Sequence, residues 1–197
     1  MLLNHESSQL VLVDYQEKLL PAISDGHAVL KNATILASLA KKMRVPVYGT
    51  EHMPDKIGPF DPQLRSFCKA TMRKSQFSAC PEGLIDLLTQ KGPAGNARSL
   101  PKHLQKPTEQ NERASIVIAG VEAHVCLLQT ALDLLDQEME VWVVTDACGS
   151  RTERNRDAAF DRLAGNGAEL VSTEMVVFEW LEGAENEHFK YALDLIK

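Results

Sequence analysis

Three residues whose types suit one reaction, Asp14, Lys74 and Cys126, each stand where an apolar run gives way to polar sequence. A thiol is a weak nucleophile until it loses its proton; a carboxylate can accept that proton and an ammonium can stabilise the anion formed. Cys126 follows the run Ser-Ile-Val-Ile-Ala-Gly of residues 115–120, and apolar side chains then recur at Val125, Leu128, Ala131, Leu132 and Leu135. That spacing is one helix face. A strand, turn and helix over residues 115–136 place Cys126 in the first helical turn, at the carboxyl end of a central strand. Unpaired backbone N–H groups and the positive end of the helix dipole there favour thiolate over thiol. Position alone leaves a second reading open, a small buried side chain without reactivity.

The elements that must position these residues follow from pattern. Residues 9–13 (Gln-Leu-Val-Leu-Val) form a buried strand that ends at Asp14. Residues 28–43 are helical, and 45–50 read as a second strand with Pro46 near its start, where a missing N–H is tolerated. A loop over 53–62 leads to a weak third strand at 69–73 and then Lys74. Residues 81–90 form a helix opened by Pro81, and 92–112 are a polar, proline-bearing excursion of open role: lid, interface or slack. Beyond the central strand and helix come a strand at 140–145, a helix at 152–164 capped by Thr152, and a helix-ending turn at 165–167. A short strand at 169–171, a helix from a Thr173 cap through Leu181, and a terminal helix at 187–196 complete the chain.

Apolar strands that alternate with helices are the pattern of an α/β fold, a parallel sheet with helices on both faces. Right-handed crossovers and a reversal of strand order open a crevice at the carboxyl ends of such strands. Asp14, Lys74 and Cys126 all fall on that rim.

Three motifs on these elements resemble the isochorismatase-like cysteine hydrolase superfamily, which includes nicotinamidases and carbamoylsarcosine amidases. Val13-Asp14-Tyr15-Gln16 is similar to its strand-end aspartate followed by a glutamine, and Lys74-Ser75-Gln76-Phe77-Ser78 to its Lys-x-x-Phe-Ser segment. Gly120-Val121-Glu122-Ala123-His124-Val125-Cys126 is similar to its nucleophile segment, with Val144-Thr145-Asp146-Ala147-Cys148 as a further strand and turn. The resemblance implies a single domain over 1–197, three-layered (α-β-α) and Rossmann-like, with a mainly parallel six-stranded sheet in the order 3-2-1-4-5-6. It implies an Asp14–Lys74–Cys126 triad, a cis peptide bond between Val121 and Glu122, and an oxyanion hole from the backbone N–H groups of Glu122 and Cys126. The thiol would lose its proton to Asp14, with its pKa lowered by Lys74 and the helix terminus, and would attack a carbonyl to form a thioester. Pocket walls are expected from Gln16, Glu51, Phe77 and His124. His124 itself, two residues from Cys126, does not share its helix face and is not its base. Homo-oligomers, dimers or larger, are the rule among relatives.

Nicotinamidases bind zinc through Asp-x-His and a further His; Thr50-Glu51-His52-Met53-Pro54-Asp55 does not reproduce that spacing, so no metal and no cofactor are expected. True isochorismatases of the superfamily tend to lack the cysteine, which argues against vinyl-ether hydrolysis. The expected activity is hydrolysis of a small amide-like C–N bond. The alternatives are a nitrile or carbamoyl hydrolase using the same cysteine, or a catalytically idle oligomeric binding module.

At 197 residues, 44% apolar and 24% charged, the chain has the composition of an ordinary globular domain. A net charge of −6 argues against nucleic acid as partner, and no apolar stretch has spanning length. No secretory signal is recognisable at 1–10. Cys68, Cys80, Cys126 and Cys148 are widely spaced, as reduced thiols of a cytoplasmic protein are.

Overall fold

A computed structural model describes residues 1–89 and 114–197. Six strands, β1 (Ser8–Val13), β2 (Val47–His52), β3 (Ala70–Lys74), β4 (Ser115–Gly120), β5 (Glu140–Val144) and β6 (Glu169–Val171), form one sheet. Its order is β3-β2-β1-β4-β5-β6 and every described pairing is parallel. β1 and β4 are buried along their whole length, which is why both read as unbroken apolar runs rather than as alternating ones.

Helix α1 (Gly26–Lys42) carries the chain from β1 to β2, while α5 (Leu128–Asp136) carries it from β4 to β5. The two crossovers leave the centre of the sheet in opposite directions. Right-handed connections therefore put them on opposite faces and leave a switch point between β1 and β4. Around them lie the short helices α2 (Pro54–Ile57), α3 (Pro62–Arg65) and α4 (Leu84–Thr89), then α6 (Glu153–Gly165), α7 (Thr173–Leu181) and α8 (Phe189–Ile196). α1 packs against α7 and α8, and α5 against α6.

Several boundaries differ from expectation for identifiable reasons. β2 begins after Pro46 and runs to His52, so Glu51 and His52 belong to a strand rather than to a loop. The helix expected over 81–90 is broken at Gly83, which has φ +112°; a 3-10 turn precedes it and α4 follows. Residue 90 and the 92–112 excursion lie outside the described residues. Thr152 caps α6 as expected, accepting from the Asn155 N–H at 3.3 Å. The cap of α7 is Ser172, not Thr173. Thr173 instead donates both its N–H and its hydroxyl to Asp146 Oδ1, at 2.8 and 2.9 Å.

One glycine sets the closeness of the two central strands. Gly120 pairs with Val13 across the β1–β4 ladder, and a Cβ on it would stand 2.5 Å from both the Cβ and the carbonyl oxygen of Val13. No rotamer change relieves a clash with backbone. Gly120→Ala is expected to force β1 and β4 apart and to lower stability by roughly 1–3 kcal/mol, read as a fall in the urea midpoint at unchanged m-value.

Candidate active site

Asp14 is the first residue past β1 and has φ +53°, a left-handed conformation that a non-glycine residue holds only when its neighbours enforce it. Here they do. The Asp14 N–H donates to Thr50 O at 3.2 Å, its carbonyl accepts from the Gln16 N–H at 2.7 Å, and Thr50 Oγ1 donates to Asp14 Oδ1 at 2.6 Å. The backbone twist aims the carboxylate across the end of β2 toward β3. There Lys74 Nζ lies 2.7 Å from Asp14 Oδ2, with neither side chain exposed at all. The ammonium also donates to Phe77 O at 2.9 Å and to Gln76 O at 3.3 Å, so a turn of the chain just past β3 wraps around its own lysine.

Cys126 lies on the other side of the switch point, 6% exposed. It stands in a turn of π-helix, Ala123–Leu127, that precedes α5, rather than in the first turn of the α-helix itself. Its thiol is within hydrogen-bonding reach of both Asp14 and Lys74. The turn is laced to the lysine segment from below. Thr130 Oγ1 donates to Cys126 O at 2.7 Å and accepts from the Ala79 N–H at 3.1 Å, and Ser78 Oγ donates to Asp133 Oδ2 at 2.5 Å. The three residues singled out from sequence thus share one buried place.

The electrostatics differ from expectation. Burial first, then the Asp14 charge, pushes the Cys126 thiol up to about 12, and Lys74 offsets only part of this. The thiolate is not favoured at rest, because the ammonium that would stabilise it is already paired with Asp14. Burial likewise raises Cys68 to about 11 and Cys80 and Cys148 to about 12.

The expected pocket residues separate into two kinds. The Gln16 side chain is fully occupied in the structure: its amide donates to His52 O at 3.0 Å and to Gly58 O at 2.6 Å, and its oxygen accepts from the His52 N–H at 2.7 Å. Glu51 accepts from the Phe60 N–H at 2.7 Å and pairs with Arg65. Both tie the loops behind the rim rather than face an open space. His124 Nδ1 meets Ser150 Oγ at 2.9 Å. Phe77 is half exposed and stacks on His52, ring centroids 5.4 Å apart. The peptide bond between Val121 and Glu122 is cis, and the Glu122 carboxylate accepts from Arg151 Nε at 2.7 Å. Thr50, which donates to Asp14, and His52, which stacks on Phe77, are neighbours of these residues that the sequence did not mark. Period-two alternation would have found them had the strand been drawn to His52.

Among the described residues no three His, Cys, Asp or Glu side chains are grouped to hold a metal ion. Glu51 and His52, the nearest candidates, are strand neighbours and point to opposite faces.

Two outcomes follow from this geometry. Replacing Lys74 by methionine leaves a buried, unpaired Asp14 and is expected to cost roughly 3–5 kcal/mol in urea unfolding, while Asp14→Asn added to Lys74→Met restores a good part of it. The raised thiols set the alkaline limit of stability. A group whose pKa is higher folded than unfolded stabilises the fold below its unfolded value and loses that contribution as pH rises through the folded one. Stability should therefore fall between about pH 9 and 12, and urea midpoints measured across that range check it.

Comparison with known proteins agrees with this architecture. The family model of the isochorismatase domain matches residues 8–175. Isochorismatase domain-containing protein 2B of Mus musculus is 32% identical over 192 residues, covering 98% of this chain and 82% of that protein. Among solved structures, MAR1 ribonuclease from Caenorhabditis elegans superposes with a TM-score of 0.84 at 27% identity, covering 100% of this chain and 92% of that one. YcaC from Pseudomonas aeruginosa, solved with hexane-2,5-diol and covalent acrylamide, gives 0.82 at 25% identity, covering 98% and 91%. With the six-stranded parallel sheet, its switch point and the family match over most of its length, the chain belongs to the isochorismatase-like hydrolase family.

Proposed function

We propose that the protein hydrolyses a small amide-like C–N bond with Cys126 as nucleophile, Asp14 as general base and acid, and Lys74 as the fixed cation. The observation that carries this is the fully buried Asp14–Lys74 pair, 2.7 Å apart, with the thiol in hydrogen-bonding reach of both. A buried ion pair is a poor source of stability. A base, a cation and a nucleophile gathered at one point have a clear chemical use.

The resting site holds a neutral thiol beside a carboxylate. In the first step the thiol proton passes to Asp14 as the Sγ–C bond forms, and the carbonyl oxygen takes the negative charge. The backbone N–H groups of Glu122 and Cys126 are the proposed donors to that oxygen. The C–N bond then breaks, and Asp14 returns the proton to the departing nitrogen, leaving a thioester on Cys126. Water attacks the thioester carbon and gives a proton to Asp14. The acyl–sulfur bond breaks, the carboxylic product leaves and the thiol is restored.

The reading takes a small-molecule substrate and neither cofactor nor metal. It places the protein in a reducing, cytoplasmic setting, supported by four free cysteines; no described helix is long and apolar enough to cross a membrane. It includes self-association as a homo-oligomer, for which the exposed side chains of Leu2, Met175 and Phe178 offer apolar surface. A ribonuclease activity, as the name of the C. elegans neighbour has it, is disfavoured by the net charge of −6. Nitrile and carbamoyl substrates would use the same cysteine, and an idle binding module would use none of the three residues.

Ammonia release from a panel of amides, carbamoyl compounds and nitriles separates these readings. Cys126→Ala is expected to abolish turnover of the accepted class, and Asp14→Asn to lower it by roughly 10²–10⁴. No release by the wild type from any member would favour the binding module. The pH profile of Cys126 alkylation tests the proton transfer itself. Thiol-plus-carboxylate and thiolate-plus-acid carry the same number of protons, so the wild-type rate should be nearly flat from about pH 7 to 9. In Asp14→Asn the thiol must titrate alone, and the rate should rise about tenfold per pH unit.

A further inference from the structure

Four ion pairs stand around the carboxyl ends of these strands: Lys74 with Asp14, Arg73 with Asp55, Arg151 with Glu122 and, behind the rim, Arg65 with Glu51. Each cation is already neutralised, which leaves little to attract a carboxylate. One polar side chain differs. His52 ends β2, is 8% exposed, and its Nδ1 has no hydrogen-bond partner among the described residues. A buried polar atom left unpaired is costly and calls for an explanation.

The position of His52 supplies one. Gln16 grips its backbone on both sides, at the N–H and at the carbonyl, so the residue cannot swing away. Strand alternation puts His52 on the same sheet face as Thr50, which holds Asp14. Lys74 is its partner in the β2–β3 register, so the two side chains also rise side by side from that face. Its ring lies against half-exposed Phe77, at 5.4 Å and 30°, and the Phe77 carbonyl holds the Lys74 ammonium. A covered, unpaired ring nitrogen, on a ring that lies against half-exposed Phe77, therefore stands beside Lys74 on that face.

We infer that His52 is a specificity-determining residue: its Nδ1 hydrogen-bonds a polar group of a small, neutral amide that rests against Phe77 and so holds the amide before Cys126. This rests on the reading of Cys126 as nucleophile. A carboxamide both donates and accepts, so it can partner Nδ1 whether that atom donates or accepts, whereas a carboxylate only accepts. The paired cations act in the same direction, selecting the uncharged substrate.

Iodoacetamide and iodoacetate differ only in amide against carboxylate, and both transfer a CH2 carbon to sulfur with loss of iodide. Alkylation of Cys126 by each, followed by peptide mapping over a range of reagent concentrations, gives a maximal rate and an apparent binding constant. It is measured in the full-length wild type, His52→Phe and His52→Gln, with a small free thiol as the reference for intrinsic reactivity and thermal unfolding as the check on folding. The wild type should prefer iodoacetamide by about tenfold beyond the free-thiol ratio. His52→Phe should lose that preference through weaker apparent binding at an unchanged maximal rate, and His52→Gln should regain most of it; if His52→Phe fails to fold, His52→Leu takes its place. A wild type that shows only the free-thiol ratio, or a His52→Phe that slows both reagents equally, overturns the role of His52 while leaving Cys126 as nucleophile. A Cys126 that resists both reagents when folded and labels normally when unfolded overturns the nucleophile, and His52's role with it.

Discussion

The Asp14 carboxylate and the Lys74 ammonium, 2.7 Å apart with no solvent exposure, impose conditions on much of the surrounding structure. Removing two charges from water costs several kcal/mol per ion even after relaxation, and their attraction offsets this only if the remaining lone pairs and protons are satisfied. The protein meets that condition with Thr50 on the free carboxylate oxygen and with the Phe77 and Gln76 carbonyls on the ammonium. Those partners come from β2 and from the turn after β3. The ends of three adjacent strands must therefore be level, and the β1–β2–β3 register makes them so. Gln16, which joins the end of β2 to the Gly58 loop, keeps that alignment from fraying.

The same pair decides the state of the cysteine. An isolated lysine beside a buried thiol would draw out its proton; a lysine already neutralised by Asp14 does so only weakly, and burial raises the thiol to about 12. The thiol therefore rests protonated, and the thiolate is the reactive form. On the proposed reading, Asp14 takes the thiol proton during reaction. Activation by transfer to a neighbour differs from activation by a lowered pKa. The first keeps the total charge of the site constant, which suits groups removed from water, where a net change of charge would be costly.

Neutrality extends outward. Arg151 with Glu122 and, behind the rim, Arg65 with Glu51 are closed pairs, and Glu51 also holds the Phe60 backbone N–H. On the inferred reading, recognition falls to the Phe77 face and to His52 Nδ1, which has no hydrogen-bond partner among the described residues. Lys74 ends β3, Asp14 directly follows β1, and Cys126 stands in the turn before α5.

Much of this was legible before any coordinates. The unbroken apolar runs at 10–13 and 116–119 are strands because both their faces are buried, and the periodicity that follows Cys126 is α5; from these alone the α/β class and the rim position of Asp14 and Cys126 follow. Lys74 needed its motif, since a lysine after a weak strand is otherwise a surface residue. What the chain by itself did not reveal depended on contacts distant in sequence. The end of β2 at His52 is set by its pairing with Lys74, and the roles of Gln16 and Glu51 as loop ties by partners at 52, 58, 60 and 65. The thiol pKa was judged from a helix terminus and one lysine, whereas it is governed by burial and by a carboxylate more than a hundred positions away. Residue types and their spacing determined which groups meet. Only the tertiary structure decided their charge states and which polar atoms remain unpartnered, because desolvation and hydrogen-bond satisfaction depend on everything packed around a group rather than on its neighbours along the chain.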